Sequence, residues 1–242
     1  EEAWVLERYR LDFARAGAEL SDADQDRLRE LNQELSRLAT TFRQALLDAS
    51  TAEGLVVDDP ALFDGLAPGA IEASEHDGSF RLPLLNFTSQ PALAELTNRD
   101  IRQQLYELSV NRAPGNGPLA IRMATLRSAR ARLLGYPTHA AYAVADQTAK
   151  TTEAVEAMLR QLSGPAVANA RREAEVLSEQ AGFPIEPWDW PFYTEQVRRA
   201  RYDFDQSEMR PYFELDRVIA DGVFRTATDL YGITFQERSD LP

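Results

Sequence analysis

The sequence predicts a mainly α protein, a multi-helix array with a small β insert, and three features carry that expectation. Apolar residues recur at three and four positions over long stretches, the breaks between those stretches are Gly- and Pro-rich, and strand-like runs are confined to one short region. The clearest helix runs from Ser21 to Ala49, where Leu28, Leu31, Leu35, Leu38, Phe42, Ala45, Leu46 and Ala49 fall on one face. Ser21 followed by Asp24 gives it a capping-box-like start, with Asp22 and Asp24 favourably near the positive end of the helix dipole. The preceding segment, Trp4 to Glu19, is expected to fold back on it as an antiparallel helix pair, turning at Gly17.

Between Thr51 and Gln90 the pattern shortens. Leu55-Val56-Val57 before Asp58-Asp59-Pro60, and Phe80-Arg81-Leu82 before Pro83, read as two short strands, the second at an edge or a strand end because proline cannot donate to a ladder. Helices resume over Asn98–Arg112, Pro118–Leu134, Thr138–Asp146, Thr151–Gln180, Asp189–Arg201 and Leu215–Tyr231. They are separated by Pro114-Gly115-Asn116-Gly117-Pro118, Gly135-Tyr136-Pro137 and Gly182-Phe183-Pro184, and ended by Gly232. With no internal repeat or long linker, the expected division is residues 1–97, a long helix pair plus the β insert, and residues 98–242, a helical region.

Composition narrows the function classes. The 242 residues carry a net charge of −13, spread along the chain with acidic residues alternating with arginine, so no coherent basic face is available for a phosphate backbone and no nucleic-acid partner is expected. No apolar run approaches the roughly 20 residues needed to cross a bilayer, and the first residues resemble no secretory signal. The absence of cysteine removes disulfides, thiolate ligands and a cysteine nucleophile, and fits a cytoplasmic location.

Candidate chemistry is sparse. His76, in Glu75-His76-Asp77-Gly78, reads as a solvated turn histidine; His139 opens a helix with Ala143 four residues on, so a His-Glu-x-x-His zinc site cannot form there and none occurs elsewhere. Asp203 and Asp205 could be an acid and base pair, but Asp205 with Glu208 three residues on reads better as a helix cap. Asp189, in Trp188-Asp189-Trp190-Pro191, reads as an N-cap accepting from the free N–H groups of the following helix, with Trp188, Trp190, Phe192 and Tyr193 as core anchors. Gly115-Asn116-Gly117 lacks the preceding strand and the lysine of a phosphate loop, and no Gly-x-Ser-x-Gly elbow is present. No catalytic, cofactor-binding or metal-binding residue is therefore assigned from the residues alone.

A series of motifs resembles the family of zinc-dependent oligopeptidases that contains thimet oligopeptidase, neurolysin, oligopeptidase A and the bacterial peptidyl-dipeptidases (dipeptidyl carboxypeptidases). It comprises Arg130-Ala131-Arg132-Leu133-Leu134-Gly135-Tyr136, Ala140-Ala141-Tyr142, Ala149-Lys150-Thr151, Pro187-Trp188-Asp189-Trp190 with Tyr193, Tyr202 to Asp205, Pro211-Tyr212-Phe213 and Tyr231-Gly232-Ile233-Thr234-Phe235. Arg10-Leu11-Asp12-Phe13, Gln90-Pro91-Ala92-Leu93 and Asn98-Arg99-Asp100-Ile101-Arg102 are similar to the peptidyl-dipeptidase branch. Thr148, Phe192 and His139 depart from the common pattern, and His139 at an often aromatic position suggests packing.

The resemblance implies a two-lobed helical metallopeptidase around a narrow channel that admits short peptides. It also implies a zinc site further along the chain than the last motif matched here, so this chain would be scaffold and channel wall, an internal fragment inactive alone, with zinc in the parent enzyme and none bound by this chain. The implied partners are short peptide substrates in the parent and the missing catalytic half. Surfaces facing that half are expected to be apolar and exposed near Tyr231 to Phe235, allowing self-association. Two other readings stand beside it: a stand-alone helical interaction module, and a carboxylate hydrolase built on Asp203 and Asp205.

Overall fold

In the computed structural model, residues 2–52, 54–84, 90–202 and 206–238 are described. The chain forms two compact units, Glu1–Thr194 and Glu195–Pro242, each taken by itself below.

In the first unit α1 (Glu2–Arg15) and α2 (Asp22–Ala52) are joined by a tight turn at Gly17. There φ is +96°, and a Cβ would meet Leu28 Cδ2 at 2.6 Å, so only glycine fits. The start of α2 is capped as expected: the Ser21 hydroxyl accepts from the Asp24 N–H at 3.3 Å and donates to the Asp24 carboxylate at 2.8 Å. The apolar face read from the sequence is the buried one, with Leu28, Leu31, Leu35, Leu38 and Ala49 in the core.

Its partner differs from the expected one. Leu31, Leu35 and Leu38 pack against Met123 and Leu126 of α5 (Asn116–Leu133), not against α1. Polar links run antiparallel along this pair, from Asn116 Nδ2 to the Phe42 carbonyl, from Arg122 to Glu34 and from Arg130 to Asn32. The single apolar stripe of α2 is thus taken by α5, and only charged faces remain for α1, which buries no residue. Instead α1 is tethered by Arg15, which donates to the Tyr142 carbonyl and pairs with Asp146, and by Arg8, which donates to the Asp146 carbonyl.

The β insert is a three-stranded antiparallel sheet, with β1 (Gly54–Val57), β2 (Glu75–His76) and β3 (Ser79–Pro83) in the order β1-β3-β2. Sequence pattern predicts two of these strands. The third is a two-residue arm joined to β3 through Asp77 (φ 51°) and Gly78 (φ 82°), the left-handed pair that a tight hairpin turn requires. A short helix α3 (Pro68–Ser74) lies before it. One core joins this insert to α4 (Arg99–Asn111): Leu55, Val57, Phe63, Leu84, Leu93, Leu96, Ile101 and Leu105 form a single buried cluster. It therefore draws on residues from both sides of position 97.

The unit continues through α6 (His139–Val144), α7 (Thr152–Ala181) and the start of α8 (Trp190–Tyr202). Thr151 caps α7 by accepting from the Ala154 N–H, and Gly182 ends it at φ 77°. Residues 156–173 of α7 are exposed on every side, with Gly164 and Pro165 in their midst. In a helix interior those two residues are about 1 and about 3 kcal/mol less favourable than alanine.

The second unit holds the rest of α8, where Glu195 pairs with Arg198 and Arg199, a 3-10 stretch (Gln206–Phe213), and the run expected as one helix over Leu215–Tyr231. That run is helical but not uniform: α9 (Leu215–Arg217) passes through a π-helical segment, Val218–Phe224, into α10 (Arg225–Tyr231), which Gly232 ends at φ 66°. The wider turn is marked by the Arg225 N–H reaching back five residues to the Ala220 carbonyl. Phe224 and Phe235 stack at 4.2 Å, yet none of residues 195–201, 209 and 211–238 is buried, and Leu230 and Tyr231 are 69% and 75% exposed. No helix among the described residues is long and apolar enough to cross a membrane.

Candidate functional site

Among the described residues, the most elaborate polar arrangement is centred on Asp189. The carboxylate is fully buried and accepts from two arginines on one face of the first turn of α4. Arg99 donates through Nε to both oxygens at 3.1 Å and through Nη2 to Oδ2 at 2.8 Å. Arg102, itself 1% exposed, donates through Nη2 to Oδ1 at 2.9 Å and through Nη1 to the carbonyls of Leu96 and Thr97. The Glu186 N–H adds another bond to Oδ2 at 3.1 Å.

Aromatic rings close the arrangement. Phe192 lies 4.2 Å from the Arg102 guanidinium carbon, Phe183 and Trp188 lie 4.8 and 5.9 Å from that of Arg99, and Trp188 tilts against Tyr106. Of the aromatics expected as core anchors, Trp188 and Phe192 thus face cations, which a π face attracts, and Tyr193 packs edge-on against Phe183 and Phe192. Burial raises the pKa of Asp189, but the hydrogen bonds from Arg99, Arg102 and the Glu186 N–H outweigh it and hold the carboxyl below its usual value. A carboxylate so held is a poor base; its physical effect is to fix the loop before α8 against the start of α4.

This corrects the cap expected at Asp189. Its main-chain carbonyl accepts from the Tyr193 N–H, as a helix start requires, but its side chain turns away from the free N–H groups of α8 toward the arginines. The competing principle is charge pairing: two guanidiniums beside a helix N-terminus oppose the dipole and need a carboxylate more than the helix needs a cap. Arg99 and Arg102, spaced i, i+3 in a first turn that normally prefers acids, were the available signal and carry no role in the sequence reading.

The remaining candidates are scattered. His76 is exposed at the hairpin, 3.5 Å from the Asp77 carboxylate. His139 stacks on Tyr142, whose ring also receives the Arg15 and Arg130 guanidiniums at 4.2 and 5.1 Å, a packing role as expected. Burial, with the nearby charges of Arg127 and Arg130, pushes the His139 pKa below the ordinary histidine value. Asp203 and Asp205 lie outside the described residues. Among the described residues no group of three or more His, Asp or Glu side chains could hold a metal ion, so the residues present do not fit a zinc centre.

The chain matches the profile of Peptidase family M3 over residues 92–242. It is 42% identical to a dipeptidyl carboxypeptidase of Salmonella typhimurium and 41% identical to that of Escherichia coli, in each case over 95% of this chain and 36% of the relative. Oligopeptidase A of Haemophilus influenzae is 28% identical over 98% of the chain and 38% of its own length. The chain thus spans little more than a third of the length of these relatives.

Proposed function

Since the chain belongs to peptidase family M3, we propose that it is the scaffold and channel-wall part of a zinc-dependent peptidase that hydrolyses short peptides, as a peptidyl-dipeptidase or an oligopeptidase. The observation that carries this reading is 42% identity to a dipeptidyl carboxypeptidase, sustained over 95% of the chain. Family M3 peptidases are generally metallopeptidases, and on this reading the zinc is held by another part of a longer polypeptide.

In that protein the job of this chain is mechanical. The Asp189, Arg99 and Arg102 cluster ties the loop before α8 to the start of α4, and α2 and α5 pack as an antiparallel pair within the same unit. Short peptides are the substrates, the catalytic half is the principal partner, and the cytoplasm is the location that the absence of cysteine favours.

The test compares two polypeptides. A protein of the relatives' full length is expected to hydrolyse a short unstructured peptide, with activity abolished by a chelator and restored by zinc, whereas the 242-residue chain gives no turnover above background. Chelator-sensitive hydrolysis by the 242-residue chain would overturn the assignment of a scaffold role.

A further inference from the structure

Before Gly164, the exposed stretch of α7 carries an apolar stripe that no described residue of its own unit covers. Val155, Met158, Leu159 and Leu162 fall at i, i+3, i+4 and i+7, which places them on one helix face. Val155, near the start of α7, is half-buried, and the same line of residues then runs out into solvent, where Met158, Leu159 and Leu162 are 52%, 54% and 57% exposed. The opposite face presents Glu153, Arg160 and Arg171, with Val167 as its one large apolar residue, beyond Gly164 and Pro165. An amphipathic helix of this kind normally lays its apolar side on a core.

Helix stability makes the same demand. Residues 156–173 have no packed face, and Gly164-Pro165 interrupts them, the proline offering no N–H to the helix ladder. Most helical stability in proteins comes from packing of an apolar face rather than from propensity. A bare helical rod with this pair at its middle therefore needs a covering surface.

We propose that the stripe of Val155, Met158, Leu159 and Leu162 is the docking surface for the part of the longer polypeptide that this chain does not include. The inference rests on the family reading above. The occupant follows from the length relation: the relatives align with this chain over 36% of their own length, which leaves most of their sequence to supply an apolar face in the same molecule. An intramolecular partner is present at high effective concentration, so a narrow stripe suffices where a separate protein would need a larger interface.

Hydrogen exchange tests this without relying on a variant that must fold. Amides of residues 156–173 are expected to exchange at least about tenfold more slowly in the full-length protein than in the 242-residue chain. In the full-length protein Leu162→Asp is expected to abolish that protection, while Arg160→Ala on the opposite face leaves it unchanged. Equal exchange in the two proteins would overturn the proposal, as would protection in the 242-residue chain that rises with concentration, which assigns the stripe to a second copy. Peptide hydrolysis measured on the same full-length preparation separates the two readings: activity without protection removes the docking surface alone, and protection without activity removes the peptidase assignment alone.

Discussion

Asp189→Asn is expected to destabilise the first unit by about 3–5 kcal/mol, the range for breaking a buried ion pair by removing one partner. The cost is the charge left behind. Arg102 is 1% exposed and cannot be rehydrated, whereas Arg99, with its side chain 44% exposed, recovers solvent and contributes little to the loss. For a unit of this size that corresponds to a fall of about 10 °C in melting temperature, measurable by calorimetry. The combined Asp189→Leu, Arg102→Met protein is expected to regain most of the loss, because replacing a buried pair by apolar groups is often close to neutral. A double variant as unstable as Asp189→Asn would place the effect in the loop backbone rather than in the charge.

The same cluster sets an acid limit. Because the folded-state pKa of Asp189 lies below its unfolded value, the unfolded state binds more protons as pH falls through that interval, and stability rises with pH there. The contribution of the cluster is therefore fully present above about pH 4, the ordinary aspartate range, and is lost only as pH falls through the lower folded value. Asp189→Asn removes that acid dependence along with the stability.

Phe63→Ala is the second large effect, expected at about 3–5 kcal/mol for deleting a fully buried aromatic ring. Phe63 has no exposed surface and sits in the cluster formed by β1, the residues before α4, and Ile101 and Leu105 of α4 itself. Amides of β3 and α4 are accordingly expected to lose hydrogen-exchange protection together. Loss confined to the β insert would instead mark residues 1–97 as a separate folding unit, as the punctuation of the sequence suggests.

How much of this was legible beforehand depended on whether a residue's neighbours were close in sequence. The buried face of α2 and its Ser21 cap are local patterns, and both appear in the structure as read. So does the end of α10 at Gly232. The partner of α2 was not legible, since the same leucine stripe would serve α1 or α5, and the choice depends on α1 carrying its apolar residues without a facing stripe. The two-residue strand β2 is too short for an alternation to register, although Asp77-Gly78 is a recognised hairpin turn.

Asp189 is the instructive case. Locally it has every feature of a cap, and its actual partners lie 87 and 90 residues away in sequence. Only the two arginines in the first turn of α4 hint that a carboxylate must reach them. The family was legible for a different reason: Leu134-Gly135-Tyr136 and Trp188-Asp189-Trp190 are specific strings in a specific order, and the profile of Peptidase family M3 spans both.

Metal content after exhaustive dialysis against a zinc-containing buffer tests the scaffold assignment most directly. The 242-residue chain is expected to retain no stoichiometric zinc, while the full-length protein retains it and loses it to a chelator. A zinc ion held tightly by the 242-residue chain, and lost on replacing His76 or His139, would contradict the account.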